Sequence, residues 1–132
     1  MKKPNFDADG RDNTTFAPFI LHNQMDQTWR DVRLAFHDWD WFEQQYGPEI
    51  IIDDYYLNSY GIQGLVMACR FDANLEVEPE SIHYNSGGDT CYIHFTDMDE
   101  AIKTAALASS MIKDKTILRQ MIQVARNNGF EE

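Results

Sequence analysis

The chain has 132 residues, 43% of them hydrophobic and 13% aromatic, and a formal net charge of −11. That length fits one domain with a sizeable core, and the apolar content excludes a disordered chain. The charge disfavours nucleic acid and anionic lipid as partners and favours basic surfaces, because fields of like sign repel.

No apolar run approaches the roughly 20 residues that span a bilayer, and the start, Met1-Lys2-Lys3-Pro4-Asn5-Phe6-Asp7, lacks the apolar segment of a secretory signal. The expectation is a cytoplasmic protein. Cys69 and Cys91 are the only cysteines, each in an apolar run, and read as reduced and buried.

Residues 1–14 mix Lys, Asp, Asn, Gly and Thr and predict a flexible tail ahead of a single domain over 15–132. Residues 16–22 read as a strand that Pro18 confines to a sheet edge or to its own start, and 23–27 as a turn. Residues 28–36 read as a second, antiparallel strand, with Trp29, Asp31, Arg33 and Ala35 on one face and Arg30, Val32, Leu34 and Phe36 on the other. Residues 37–47 form a short helix, with Asp38 as N-cap and Gly47-Pro48 as its stop.

Residues 49–54 predict a brief strand or an extended entry, and 55–60 an aromatic, amide-rich connector. Gly61 to Phe71 carries Ile62, Leu65, Val66 and Cys69 at helical spacing, with Asn58 or Ser59 available as a cap. Gly61-x-x-Gly64 is too short for a phosphate loop and reads as a site of close helix packing. Residues 72–80 are an acidic connector.

Residues 81–95 form a hairpin. Alternation puts Ile82, Tyr84, Cys91, Ile93 and Phe95 on one face, and Ser81, His83, Asn85, Thr90, Tyr92 and His94 on the other. With Gly87-Gly88 as a two-residue primed loop, Tyr84 faces Cys91 and Ile82 faces Ile93. Asp97-x-x-Glu100 then opens a helix in the manner of a capping box, Lys113-Asp114-Lys115 breaks it, and a terminal helix ends at Asn127-Asn128-Gly129. The whole predicts an α+β domain: a small, mainly antiparallel sheet packed against helices, with a C-terminal hairpin followed by two helices.

Signals for chemistry are sparse. His83 and His94 share a hairpin face one diagonal step apart, but a third metal ligand is lacking. Asp53-Asp54 and Asp38-x-Asp40 are adjacent carboxylates whose strand or helix geometry would point them apart. No cofactor motif, nucleophile elbow or Cys-x-x-Cys occurs. Protein binding is the stronger reading. Between Leu34 and Glu100 there are fourteen acids against one base, Arg70, and rings of Trp39, Trp41, Phe42, Tyr46, Tyr55, Tyr56 and Tyr60 lie among them. Aromatic anchors in an acidic field suit a basic partner. The candidate partner-binding residues are Asp38, Asp40, Glu43, Asp53, Asp54, Tyr55 and Tyr56. An enzyme using His37 or His83 with two carboxylates, and an adaptor subunit of a larger assembly, are the alternatives.

The stretch Asn58-Ser59-Tyr60-Gly61-Ile62-Gln63-Gly64-Leu65-Val66 is similar to the Gly-Asn-Gly-Tyr-Asp-Trp-x-x-Leu stretch of bacterial polymorphic-toxin immunity proteins of the Imm51 family. The hairpin with its Gly-Asp turn, the acid-opened helix after it and the terminal helix also resemble that family's layout, over residues 16–129. The resemblance implies a cytoplasmic, non-catalytic inhibitor that binds a cognate toxin domain and masks its active site. It implies no cofactor, and many such toxins are nucleases with basic clefts that an acidic face can occupy.

Overall fold

The computed structural model describes residues 2–28 and 30–131, so Trp29 and its predicted place on a strand face lie outside the described residues. The elements run β1 (Arg11–Asp12), β2 (Ile20–Gln24), β3 (Asp31–Phe36), α1 (Trp39–Tyr46), β4 (Ile51–Ile52), β5 (Tyr55–Tyr56), α2 (Ser59–Asp72), β6 (Ile82–Tyr84), β7 (Cys91–Phe95), α3 (Met98–Lys113) and α4 (Lys115–Asn127). This is the expected α+β domain. Its main sheet is antiparallel in the order β1-β2-β3-β7-β6, and β4 and β5 form a separate two-stranded ribbon.

Alternation decides the faces of the main sheet. Leu21, Val32, Leu34, Phe36, Ile82, Cys91, Ile93 and Phe95 join the core. There α2 packs on β7, α3 on β3 and β7, and α4 against α2 and α3. The opposite face carries Ile20, His22, Gln24, Asp31, Arg33, Ala35, His83, Tyr92 and His94.

Side-chain caps start the helices where the sequence puts them. Asp38 accepts from Trp41 N, Asn58 from Gly61 N, and Asp97 from Asp99 N and Glu100 N. Asp114 ends α3 and caps α4, accepting from Thr116 N and Ile117 N. The Asp97 box is only half made, because the Glu100 side chain turns away from the cap to meet Arg70 Nη2 at 2.9 Å. Arg70 is fully buried; its Nη1 donates to Thr104 Oγ1 and its Nε to the Glu76 carbonyl.

Four expectations need correction. The segment expected as a flexible tail over 1–14 is tied down from Asn5 onward: Arg11–Asp12 add an edge strand, and buried Asp12 accepts from the backbone of Asn5, Thr14 and Thr15. One carboxylate thereby folds a polar segment whose composition alone gives no sign of it. The strand expected over 16–22 starts late, at Ile20, and runs on through Gln24, because Thr15 to Pro18 form a turn before it.

The hairpin register is the third. Ile82 pairs with Phe95 and Tyr84 with Ile93, two residues from the expected register. Gly87 N donates to Thr90 O, so the chain reverses at Gly88-Asp89. Neither Gly87 nor Gly88 takes a positive φ. Contacts from outside hold this turn: Ser59 Oγ donates to the Gly87 and Gly88 carbonyls, and Trp39 Nε1 to Asp89 O. A slip of two leaves every side chain on its predicted face.

The fourth is the 55–60 connector, whose first two residues are the return strand of a hairpin. Asp53 (φ 52°) and Asp54 (φ 63°) both sit in the left-handed region, as the loop of a primed turn demands and as Asp tolerates better than most residues. Ile52 pairs with Tyr55 across that loop.

Candidate functional site

Of the predicted partner-binding residues, Glu43 and Tyr56 stand together where α1, the β4–β5 ribbon and the β6–β7 turn meet, with Asp38 and Asp40, and Asp53 and Asp54, in two adjoining hollows. Asp38 starts α1 with Trp39 as its first residue, and Trp39 stacks edge-on against Phe36 at 5.0 Å while its indole N–H donates 2.8 Å to Asp89 O. Helix and hairpin turn are therefore joined at one ring. Gly47, at φ 86°, ends α1, and the chain returns as the ribbon, where Leu57 N donates to Ile50 O.

A cleft of about 310 Å³ lies between these parts. Its walls are Trp39, Phe42, Pro48, Ile50 and Leu57, and Glu43, Tyr56 and Asp89 stand around it. Trp39 also lines a neighbouring groove holding His37, Asp38 and Asp40, and Pro48 and Ile50 also line a depression holding Glu49, Asp53 and Asp54. Acids far apart in the chain thus border three hollows that share Trp39, Pro48 and Ile50 as wall residues.

Tyr55 does not belong to that surface. It is fully buried, with its hydroxyl donating 2.7 Å to Gly61 O, and only Tyr56, pointing the other way along the strand, is exposed. Asp53 is half-buried and engaged: Arg119 Nε reaches its Oδ2 at 2.9 Å, and that hydrogen bond holds the Asp53 carboxyl below the usual carboxylate range. Asp40, Glu43 and Asp54 make no ion pair among the described residues. Trp41 N uses one oxygen of Asp38. The one base of the acid-rich span, Arg70, is buried against Glu100 and neutralises nothing at the surface.

Two other groupings bear on chemistry. His37 shares a groove with Asp38 and Asp40, yet no hydrogen bond joins them among the described residues. On the open sheet face, His83 lies directly opposite His94 instead of one diagonal step away, a consequence of the register slip. Their ring centres are 6.1 Å apart, and Tyr92 stacks on His94 at 5.7 Å. Asp31 Oδ2 receives His94 Nδ1 at 3.0 Å and Arg33 Nε at 3.3 Å. Pairing across the sheet aligns Arg11, His22, Arg33, His94 and His83 in one row. Among the described residues no cluster of three or more metal-ligating side chains occurs. Sequence reasoning missed Asp31 and Asp89 as site residues: the first needs the β3–β7 register, the second the contact with Trp39.

No helix among the described residues is long and apolar enough to cross a membrane. Comparison with family models, with curated proteins and with solved structures finds no match.

Proposed function

We propose that this chain is an immunity-type inhibitor: a stoichiometric, non-catalytic binder whose acidic face occupies the basic surface of a bacterial toxin domain, possible nucleases included. The observation that carries this reading is the set of acid-bordered hollows that share Trp39, Pro48 and Ile50 as walls. Trp39 and Tyr56 supply aromatic contact area there, and Asp38, Asp40, Glu43, Asp54 and Asp89 supply charge that no base on the same span offsets. Such an arrangement steers a cationic partner and lets apolar walls take the stems of its Lys and Arg side chains. The stretch that resembles the immunity family also serves this surface: Asn58 lines the cleft and Ser59 holds the hairpin turn beside it.

The test takes the product of the neighbouring gene, and measures complex formation and, where that product is toxic, protection. A 1:1 complex that abolishes toxicity is expected, and the Asp38→Lys, Asp40→Lys, Glu43→Lys triple variant should associate at least about tenfold more slowly at low salt. Unchanged association of a folded triple variant would remove this face from the interface. Absence of any complex with the neighbouring gene product would remove the inhibitor reading itself.

A further inference from the structure

Three of the chain's four histidines stand in one cross-strand row on the open sheet face, and two of them, His83 and His94, are adjacent. Solubility alone has no use for imidazoles over lysines at such positions, and the acidic face described above shares no residue with this row. We propose that His83 and His94 form a two-imidazole site for a transition-metal ion of the copper, nickel or zinc class, with Asp31 as the positioning residue and solvent completing the coordination.

Three features support the site. First, reach: an ion about 2.0–2.1 Å from each ligating nitrogen lies about 3.2 Å from each ring centre. Rings whose centres are 6.1 Å apart can therefore meet one ion, and rotation of exposed His83 bends the angle toward a tetrahedral one. Second, orientation: a carboxylate only accepts, so His94 Nδ1 donates its proton to Asp31 Oδ2, 3.0 Å away, which leaves Nε2 with its lone pair outward. A carboxylate behind a ligating histidine is the usual support of such a ligand. Third, charge: Asp31 is 8% exposed and its other oxygen, Oδ1, is buried with no hydrogen-bond partner among the described residues. That carboxylate keeps an unused acceptor beside the His94 ring.

His83 and His94 bring no third protein ligand, so selectivity should follow the intrinsic preference of imidazole nitrogen, with copper bound more tightly than nickel or zinc. The site is independent of the inhibitor reading, and neither outcome decides the other.

Untagged protein titrated with copper(II), nickel(II) and zinc(II) chlorides tests the proposal by calorimetry, with electron paramagnetic resonance of the copper complex. One ion per chain is expected, carrying the hyperfine signature of two imidazole nitrogens. His83→Ala and His94→Ala should each weaken copper binding at least tenfold, and Asp31→Asn roughly tenfold through loss of orientation. His22→Ala and His37→Ala should bind as the parent does. An unchanged unfolding midpoint for His83→Ala separates lost ligation from lost fold, since that ring is exposed. Equal copper binding by the His83→Ala, His94→Ala double variant overturns the proposal, as does equal loss with His22→Ala. Inorganic phosphate that shifts the His83 and His94 ring resonances where zinc does not would overturn it in favour of an anion site.

Discussion

The guanidinium of Arg70 lies 2.9 Å from the carboxylate of Glu100, and while the Arg70 side chain is 1% exposed, that of Glu100 is 23% exposed. The pair is thus asymmetric: one partner has no access to water, the other has some. Arg70 ties α2 to α3 and, through the Glu76 carbonyl, to the acidic connector. Arg70→Met should cost about 3 kcal/mol in urea unfolding, at the low end for a broken buried pair because Glu100 can turn to water. The hydrogen bond from Arg70 holds the Glu100 carboxyl below its ordinary range. A depressed folded-state value means stability present above the unfolded value, about 4.3, and lost as pH falls through the folded one. The Met variant should therefore lose stability less steeply below about pH 4 than the parent.

Asp12 offers a second, independent acid-sensitive anchor. Burial pushes its carboxyl up, but the bonds from Thr15, Asn5 and Thr14 outweigh burial and bring it from 3.8 to about 2. Its contribution is fully present above about pH 4 and disappears as pH falls toward 2. Asp12→Asn should cost about 1–2 kcal/mol and accelerate amide exchange of Asn5, Thr14 and Thr15 before that of the β3–β7 core. Uniform acceleration across the sheet would mean that Asp12 serves global stability instead of this segment.

Glycine at 61 and 64 is required by space. A Cβ on Gly61 would lie 1.9 Å from Tyr56 O, and one on Gly64 would lie 2.5 Å from Phe130 O and 2.6 Å from the Tyr55 hydroxyl. Both obstacles include backbone, which cannot swing aside. Gly61→Ala should destabilise by about 2 kcal/mol or more, in the range of overpacking, and Gly64→Ala by somewhat less. Because Gly61 abuts the residue that stands over the cleft, Gly61→Ala should also move the Tyr56 resonances. A Gly61→Ala variant as stable as the parent would contradict this packing.

Cys69 and Cys91 should resist thiol reagents in the native state. Burial pushes both thiols up to about 12, so the reactive thiolate is scarce. Labelling by a thiol-disulfide reagent at pH 8 should proceed only as fast as the chain opens, and should accelerate in parallel with added denaturant. Fast labelling of either cysteine without denaturant would show an accessible thiol.

Where side chains repeat along an element, the sequence was legible. The two faces of the β6–β7 hairpin, the caps Asp38, Asn58 and Asp97, and the break at Asp114 all follow from local pattern. What escaped it depends on contacts from elsewhere. Gly87-Gly88 is the stronger turn signal by composition, yet Ser59 and Trp39 hold the reversal at Gly88-Asp89. The β4–β5 loop has no glycine to announce it, only two aspartates that tolerate positive φ. Tyr55 and Tyr56 are identical in sequence terms, and only the strand's alternation sends one inward. At the candidate site, Asp38, Asp40, Glu43 and Tyr56 were legible as acids and aromatics in one span, whereas the buried state of Arg70 and the capture of Asp53 by Arg119 required the fold.

The grip of Ser59 and Trp39 on the β6–β7 turn has a kinetic meaning. A loop bearing Asp89 would ordinarily surrender freedom on being docked, at a cost that slows or weakens complex formation. Here helix α2 and a tryptophan have already met that cost during folding, so a visiting molecule finds the rim set. Encounter should then be governed by orientation and ionic strength rather than by rearrangement of the host.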